Sequence, residues 1–196
     1  MNNWIARKKY LGLMWEADKR LEVLNGFVNK EIHSLYLKAT VESEALQIRK
    51  TLELIAYSSL IAHKDEYELI RNDISREWHA TRILKKVESI NPNFYPVPVY
   101  GASKHAWKLK RGGFLTKKQF ITLYDRCGSI LHAKNPFSTT SQRALSFHSK
   151  VPEYVSRITE LLSEHTVKLA GVNRMLHVQV PVLQEEPLRA TFLSTP

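Results

Sequence analysis

The sequence predicts a mostly α-helical chain with a small C-terminal β-hairpin. Three observations carry that expectation. Apolar residues recur every three or four positions through most of the chain, the period switches to strict alternation near the C-terminus, and prolines and glycines gather at the joints. With 196 residues, 43% of them apolar and 24% charged, the chain suits one domain with a sizeable core. The expected division is a helical body over residues 1–165, with a basic Pro/Gly-containing loop at 91–115, and a hairpin over 166–196 appended to it.

In chain order, Leu21, Leu24, Val28, Ile32 and Leu35 make a first helical stripe. Ala45, Ile48, Leu52 and Ile55 make a second, with Glu44 and Lys50 read on its polar far side. Glu53, four residues after Arg49, reads as its salt-bridge partner. A third stripe runs through Ile70, Ile74, Leu84 and Val87, and "ESINPN" stops it. Residues 91–113 hold three prolines and three glycines with little periodicity, which reads as a loop. Helix resumes after Thr116, an N-cap candidate, with Phe120, Tyr124, Cys127 and Leu131 facing inward. Another helix is expected over 151–165. In "MLHVQVPV" the apolar Leu176, Val178, Val180 and Val182 alternate, and "QEEP" turns the chain into "LRATFL".

Charge narrows the partners. The net charge of +10 and a pI near 9.7 favour a polyanion, nucleic acid first. Lys104, Lys108, Lys110, Arg111, Lys117 and Lys118 fall in one run without an acid, and Trp107 lies among them. Cations neutralise phosphates and an aromatic face stacks on a base, so this run is the expected nucleic-acid contact. The lone Cys127 excludes an intramolecular disulfide and a thiolate cluster. His63, His79, His105, His165 and His177 show no ligand spacing, so no metal is expected. There is no Walker or dinucleotide glycine loop and no G-x-S-x-G elbow, so no cofactor is expected either. The N-terminal stretch makes a poor signal peptide, and no window approaches the roughly 20 apolar residues of a spanning helix. A cytoplasmic location, away from any membrane, follows as the expectation.

The stretch "LYDRCGSILHAKNPF" carries the candidate chemistry. On a helical wheel the stripe of Phe120, Tyr124, Cys127 and Leu131 fixes the inward direction. Arg126 and His132 then fall about 120° apart on the outer side, separated by about 9 Å along the axis. Ser129 lies between them and Asp125 precedes them, both expected in support. A histidine exchanges protons near neutral pH, and an arginine grips phosphate oxygens while staying charged. RNA cleavage without a metal needs those two functions. Spacing alone decides little. With 12 Arg and 8 His, chance supplies roughly 1.5 matches to Arg-x(4–6)-His, and a second pair, Arg143 and His148 in "RALSFH", is the alternative catalytic pair.

A basic helical chain with "RCGSILH" on a late helix, "ALQIRKTLELIAY" on an early one and a terminal hairpin resembles the HEPN superfamily. The resemblance implies a helical bundle and a metal-independent ribonuclease, often a toxin or antiviral defence effector. Two motif copies would face each other across a homodimer. It gives Arg126 the phosphate-stabilising role and His132 the acid–base role. It also implies RNA as substrate and a cognate antitoxin or regulatory protein as partner. Other members of that family have lost catalysis and act as modules that bind nucleic acid or protein. One departure stands out: the residue after the arginine is commonly polar there, whereas here it is the core-facing Cys127.

Overall fold

The structure, a computed structural model, describes residues 3–62, 79–101, 107–132, 142–168, 174–181 and 187–194. These fold as a mostly helical body carrying a small antiparallel sheet. The helices are α1 (Asn3–Val28), α2 (Leu37–Ala62), α3 (Ala80–Ile90), α4 (Lys117–Leu131), α5 (Gln142–His148) and α6 (Val151–Leu162). The strands are β1 (Val97–Tyr100), β2 (Lys108–Leu109), β3 (Glu164–Lys168), β4 (Arg174–Gln179) and β5 (Arg189–Ser194).

Helix α2 is the hub: α1, α3, α4 and α5 all pack against it. Its stripe of Ala45, Ile48, Leu52 and Ile55 is completely buried, as the spacing predicts. Glu44 departs from expectation, being buried on the same helix rather than turned to solvent. The reason is positional: Glu44 falls between Val41 and Ile48 in steps of three and four, so it shares their stripe whatever its polarity.

The first stripe continues in sequence past the end of its helix. Helix α1 begins at Asn3 and stops at Val28, leaving Ile32 and Leu35 exposed. Lys30 takes a left-handed φ of 62°, its N–H bonds Phe27 O at 3.1 Å, and Glu31 N–H bonds Gly26 O at 2.8 Å. This is the Schellman pattern of closing bonds, built here on a lysine instead of the usual glycine.

The terminal hairpin is present, and it is the end of something larger. β4 and β5 pair antiparallel from Arg174↔Ser194 to Gln179↔Arg189. They belong to a five-stranded sheet in the order β2-β1-β3-β4-β5. Two expectations are corrected here. The segment read as a loop contributes β1 and β2, and the helix expected to run to His165 ends at Leu162 so that His165 lies within β3. His165 Nδ1 faces Leu162 O at 2.9 Å and its Nε2 faces Tyr10 Oη at 2.8 Å. A carbonyl can only accept, so Nδ1 carries the proton and Nε2 accepts from the Tyr10 hydroxyl. Burial pushes the His165 pKa down to about 4, keeping the ring neutral where it ties α1 to the sheet. Ile70, Ile74, Val182 and most of the "QEEP" turn lie outside the described residues.

Candidate functional site

Helix α4 displays the first Arg–His pair. Its N-terminus is fixed by a capping box: Gln119 N–H bonds Thr116 Oγ1 at 3.3 Å and Gln119 Oε1 accepts from Thr116 N–H at 2.9 Å. Phe120, Leu123, Tyr124 and Cys127 are buried, which leaves Asp125, Arg126 and Ser129 exposed. Burial also pushes the Cys127 thiol up to about 12, so it stays protonated.

Gly128 lets a second helix approach closely. A Cβ there would stand 3.2 Å from Arg49 Nη1. The Arg49 guanidinium lies 4.6 Å from the Tyr124 ring centroid, and Nη2 donates to Tyr124 Oη at 3.1 Å. Glu53 holds Arg49 from the other side at 3.3 Å, the ion pair the sequence predicts. This network fixes the face of α4 that meets α2.

Arg126 points away from that network. Its Nη1 donates to Tyr154 Oη, on α6, at 2.7 Å. It lines a cleft of about 310 Å³ together with Ser129, Ser146 and Phe147, and a second of about 260 Å³ together with Lys118, Glu153 and Arg157. Arg157 is paired with Glu153 at 2.8 Å, whereas Arg126 has no carboxylate partner among the described residues. Ser129 shares the first cleft, although its hydroxyl turns back to Arg126 O at 2.8 Å. His132 is the C-cap of α4 with extended backbone (ψ 135°), exposed and on neither cleft. The structure therefore sets Arg126 and Ser129 on one cleft and places His132 outside its lining.

The second pair is placed differently. Arg143 lies in α5 by its backbone, and its side chain is outside the described residues. His148 closes α5, with Nδ1 at 2.8 Å and 3.0 Å from the two oxygens of Glu44. Burial raises the Glu44 pKa, and the hydrogen bond and charge of His148 oppose the rise. An ionised carboxylate only accepts, so Nδ1 carries the proton and Nε2 remains for other work. The ring lines a cleft of about 500 Å³ under the α1–α2 connection, beside Tyr36, Thr40 and Val151. Glu44 was missed, although its place between Val41 and Ile48 in the apolar stripe is the signal that could have shown its burial. Tyr154 had no signal, since it lies 28 residues from the arginine it holds.

The basic run divides. Lys110 bonds Glu160 Oε2 at 2.8 Å and Ser163 Oγ at 3.2 Å, which ties the strand to α6. Lys117 pairs with Glu88 and lies 5.8 Å over the Phe94 ring. Lys108, Arg111 and Lys118 are exposed and Trp107 is half-buried, while Lys104 lies outside the described residues. Among the described residues no three His, Cys, Asp or Glu side chains converge as a metal requires, and no helix is long and apolar enough to cross a membrane. The chain matches no protein-family model, and neither the curated proteins nor the solved structures contain a significant match to it.

Proposed function

We propose that this chain is a HEPN-like, metal-independent endoribonuclease of the toxin or defence-effector type, acting in the cytoplasm. The observation that carries the reading is Arg126: an exposed guanidinium without a carboxylate among the described residues, pinned by Tyr154 Oη where it lines two clefts. A cation held in that way is prepared for the charge that builds on a phosphate under attack. The 2′-hydroxyl loses a proton and attacks the adjacent phosphorus, the P–O5′ bond breaks, and the leaving oxygen takes up a proton. His132 supplies the acid–base function. Its position off the cleft of its own chain fits a site completed by a second copy, the two motifs meeting across a homodimer. An antitoxin or regulatory protein would then act by covering that face.

One observation favours a second reading within the same chemistry. His148 is a half-buried histidine with a carboxylate on Nδ1, the arrangement that orients an imidazole for proton transfer, and the sequence pairs it with Arg143 as cation. Cleavage of RNA in EDTA, comparing wild type with Arg126→Ala, His132→Ala and His148→Ala, decides. Loss in the first two alone supports the Arg126–His132 site. Loss in His148→Ala alone moves the chemistry to α5. Salt-sensitive RNA binding without cleavage replaces both with a binding module.

A further inference from the structure

Helix α1 has an outer face that the described residues leave uncovered. Its inner face, with Tyr10, Met14, Leu21 and Leu24, is spent on the core. The outer face is centred on Gly12, where an added Cβ would meet no atom within 4 Å. Ile5, Lys8 and Trp15 lie within about 60° of that direction, and Trp4 lies at its edge. Trp4 is 61% exposed and Trp15 56% exposed. Two indoles this open on one helix face mark a contact surface. They are eleven residues apart, which is three turns and about 16 Å along the axis.

The charge around them has one sign. Lys8 Nζ stands 5.6 Å over the Trp4 ring, and Lys9 is exposed one position on. The acids of this half of the helix are occupied: Glu16 holds Arg20 at 2.6 Å and Asp18 is buried. We propose that this face of α1 is a track for single-stranded nucleic acid, with bases stacking on Trp4 and Trp15 and phosphates neutralised by Lys8 and Lys9. Aromatic faces spaced along a basic groove take any base, since every base has a π-face.

Other occupants fit less well. A membrane surface needs a broad apolar face, and here the broad face is already in the core, leaving three apolar side chains. A second copy would set Lys8 and Lys9 near their own kind across a patch of one helix width, below the area a stable dimer buries. Among the lysines of the sequence run, Lys110 and Lys117 are held by Glu160 and Glu88, whereas Lys8 and Lys9 form no ion pair among the described residues. The track shares its RNA partner with the proposed function and none of its catalytic residues, because α1 and α4 each pack on α2.

The test is binding of the full chain to a fluorescent 2′-O-methyl oligouridine of twelve nucleotides, which blocked 2′ oxygens protect from cleavage. Trp15→Ala is expected to weaken binding roughly tenfold and Trp15→Tyr to keep most of it. Lys8→Ala with Lys9→Ala is expected to flatten the slope of log affinity against log salt by about 1.4. All these positions are exposed, and circular dichroism confirms that each variant is folded. Variants that bind like wild type overturn the inference. So does binding to phosphatidylserine vesicles without binding to the oligonucleotide, or a concentration-dependent dimer that Trp15→Ala abolishes. A chain that binds through α1 yet cuts no RNA keeps this inference and removes the proposed catalysis. One that cuts while these variants bind normally removes this inference alone.

Discussion

Removing the His148 ring strands a buried carboxylate, and pH then sets the cost. The Glu44 side chain is 1% exposed, with His148 Nδ1 2.8 Å from one of its oxygens. Burial already raises its pKa above the ordinary 4.5, and His148 opposes that rise. A carboxyl whose folded pKa is raised contributes stability below its unfolded pKa, and that contribution is lost as pH climbs through the folded value. In His148→Ala the group either stays charged among apolar neighbours or takes a proton from solution. The second route sets a ceiling of about 1.36 kcal/mol for each pH unit above the ordinary pKa, hence about 4 kcal/mol at pH 7.5 and about 0.7 at pH 5. Breaking a buried pair from one side costs about 3–5 kcal/mol. The expected loss is therefore about 3 kcal/mol at pH 7.5 and about 1 kcal/mol at pH 5, where lost ring packing is most of what remains. Urea unfolding at the two pH values reads the difference, and adding Glu44→Gln should erase it. An equal loss at both pH values, or a double variant as pH-sensitive as the single, would mean that Glu44 is not the group left stranded.

Four further outcomes follow from the same geometry. Lys30→Gly relieves the positive φ at the end of α1 and should stabilise the chain by about 1 kcal/mol in urea unfolding. Thr116→Ala removes the capping box of α4 and should cost about 1 kcal/mol in the same assay. Tyr154→Phe keeps the ring against Phe147, so stability should change by less than about 1.5 kcal/mol. Cleavage should nevertheless fall roughly tenfold as Arg126 loses its anchor, measured as initial rate against folded fraction. The His165 ring should resist protonation until pH nears 4, and its NMR signals should not move near 6.5. Because its folded pKa is depressed, its contribution to stability is whole above pH 6.5 and lost as pH falls toward 4.

What the sequence disclosed and what it hid divide along physical lines. Ala45, Ile48, Leu52 and Ile55 on α2 and Leu176 and Val178 on β4 are buried as their periods predict, because a period is a property of local geometry. Thr116 is legible for the same reason, since a cap and its partner lie three residues apart. The end of α1 is not, because the spacing runs on through Ile32 and Leu35 while backbone bonds at Lys30 close the helix without a glycine to announce it. β1 is four residues with an internal proline, and its pairing Val97↔Thr166 joins segments far apart in sequence, so only the fold reveals the sheet. The site divides likewise. Arg126 and Ser129 could be placed on the outside of one helix from spacing alone, whereas His132 is the extended C-cap just past the helix end. That Tyr154 holds Arg126, and that Glu44 holds His148, are tertiary facts with no local signature.

The central claim is that a guanidinium and an imidazole cut RNA through its own 2′-hydroxyl. The most direct measurement incubates the purified chain in EDTA with one sequence made as RNA, as DNA and as 2′-O-methyl RNA. The RNA alone should be cut, leaving 2′,3′-cyclic phosphate and 5′-hydroxyl ends. Cleavage of all three strands, or of RNA only when a divalent metal is restored, would contradict it.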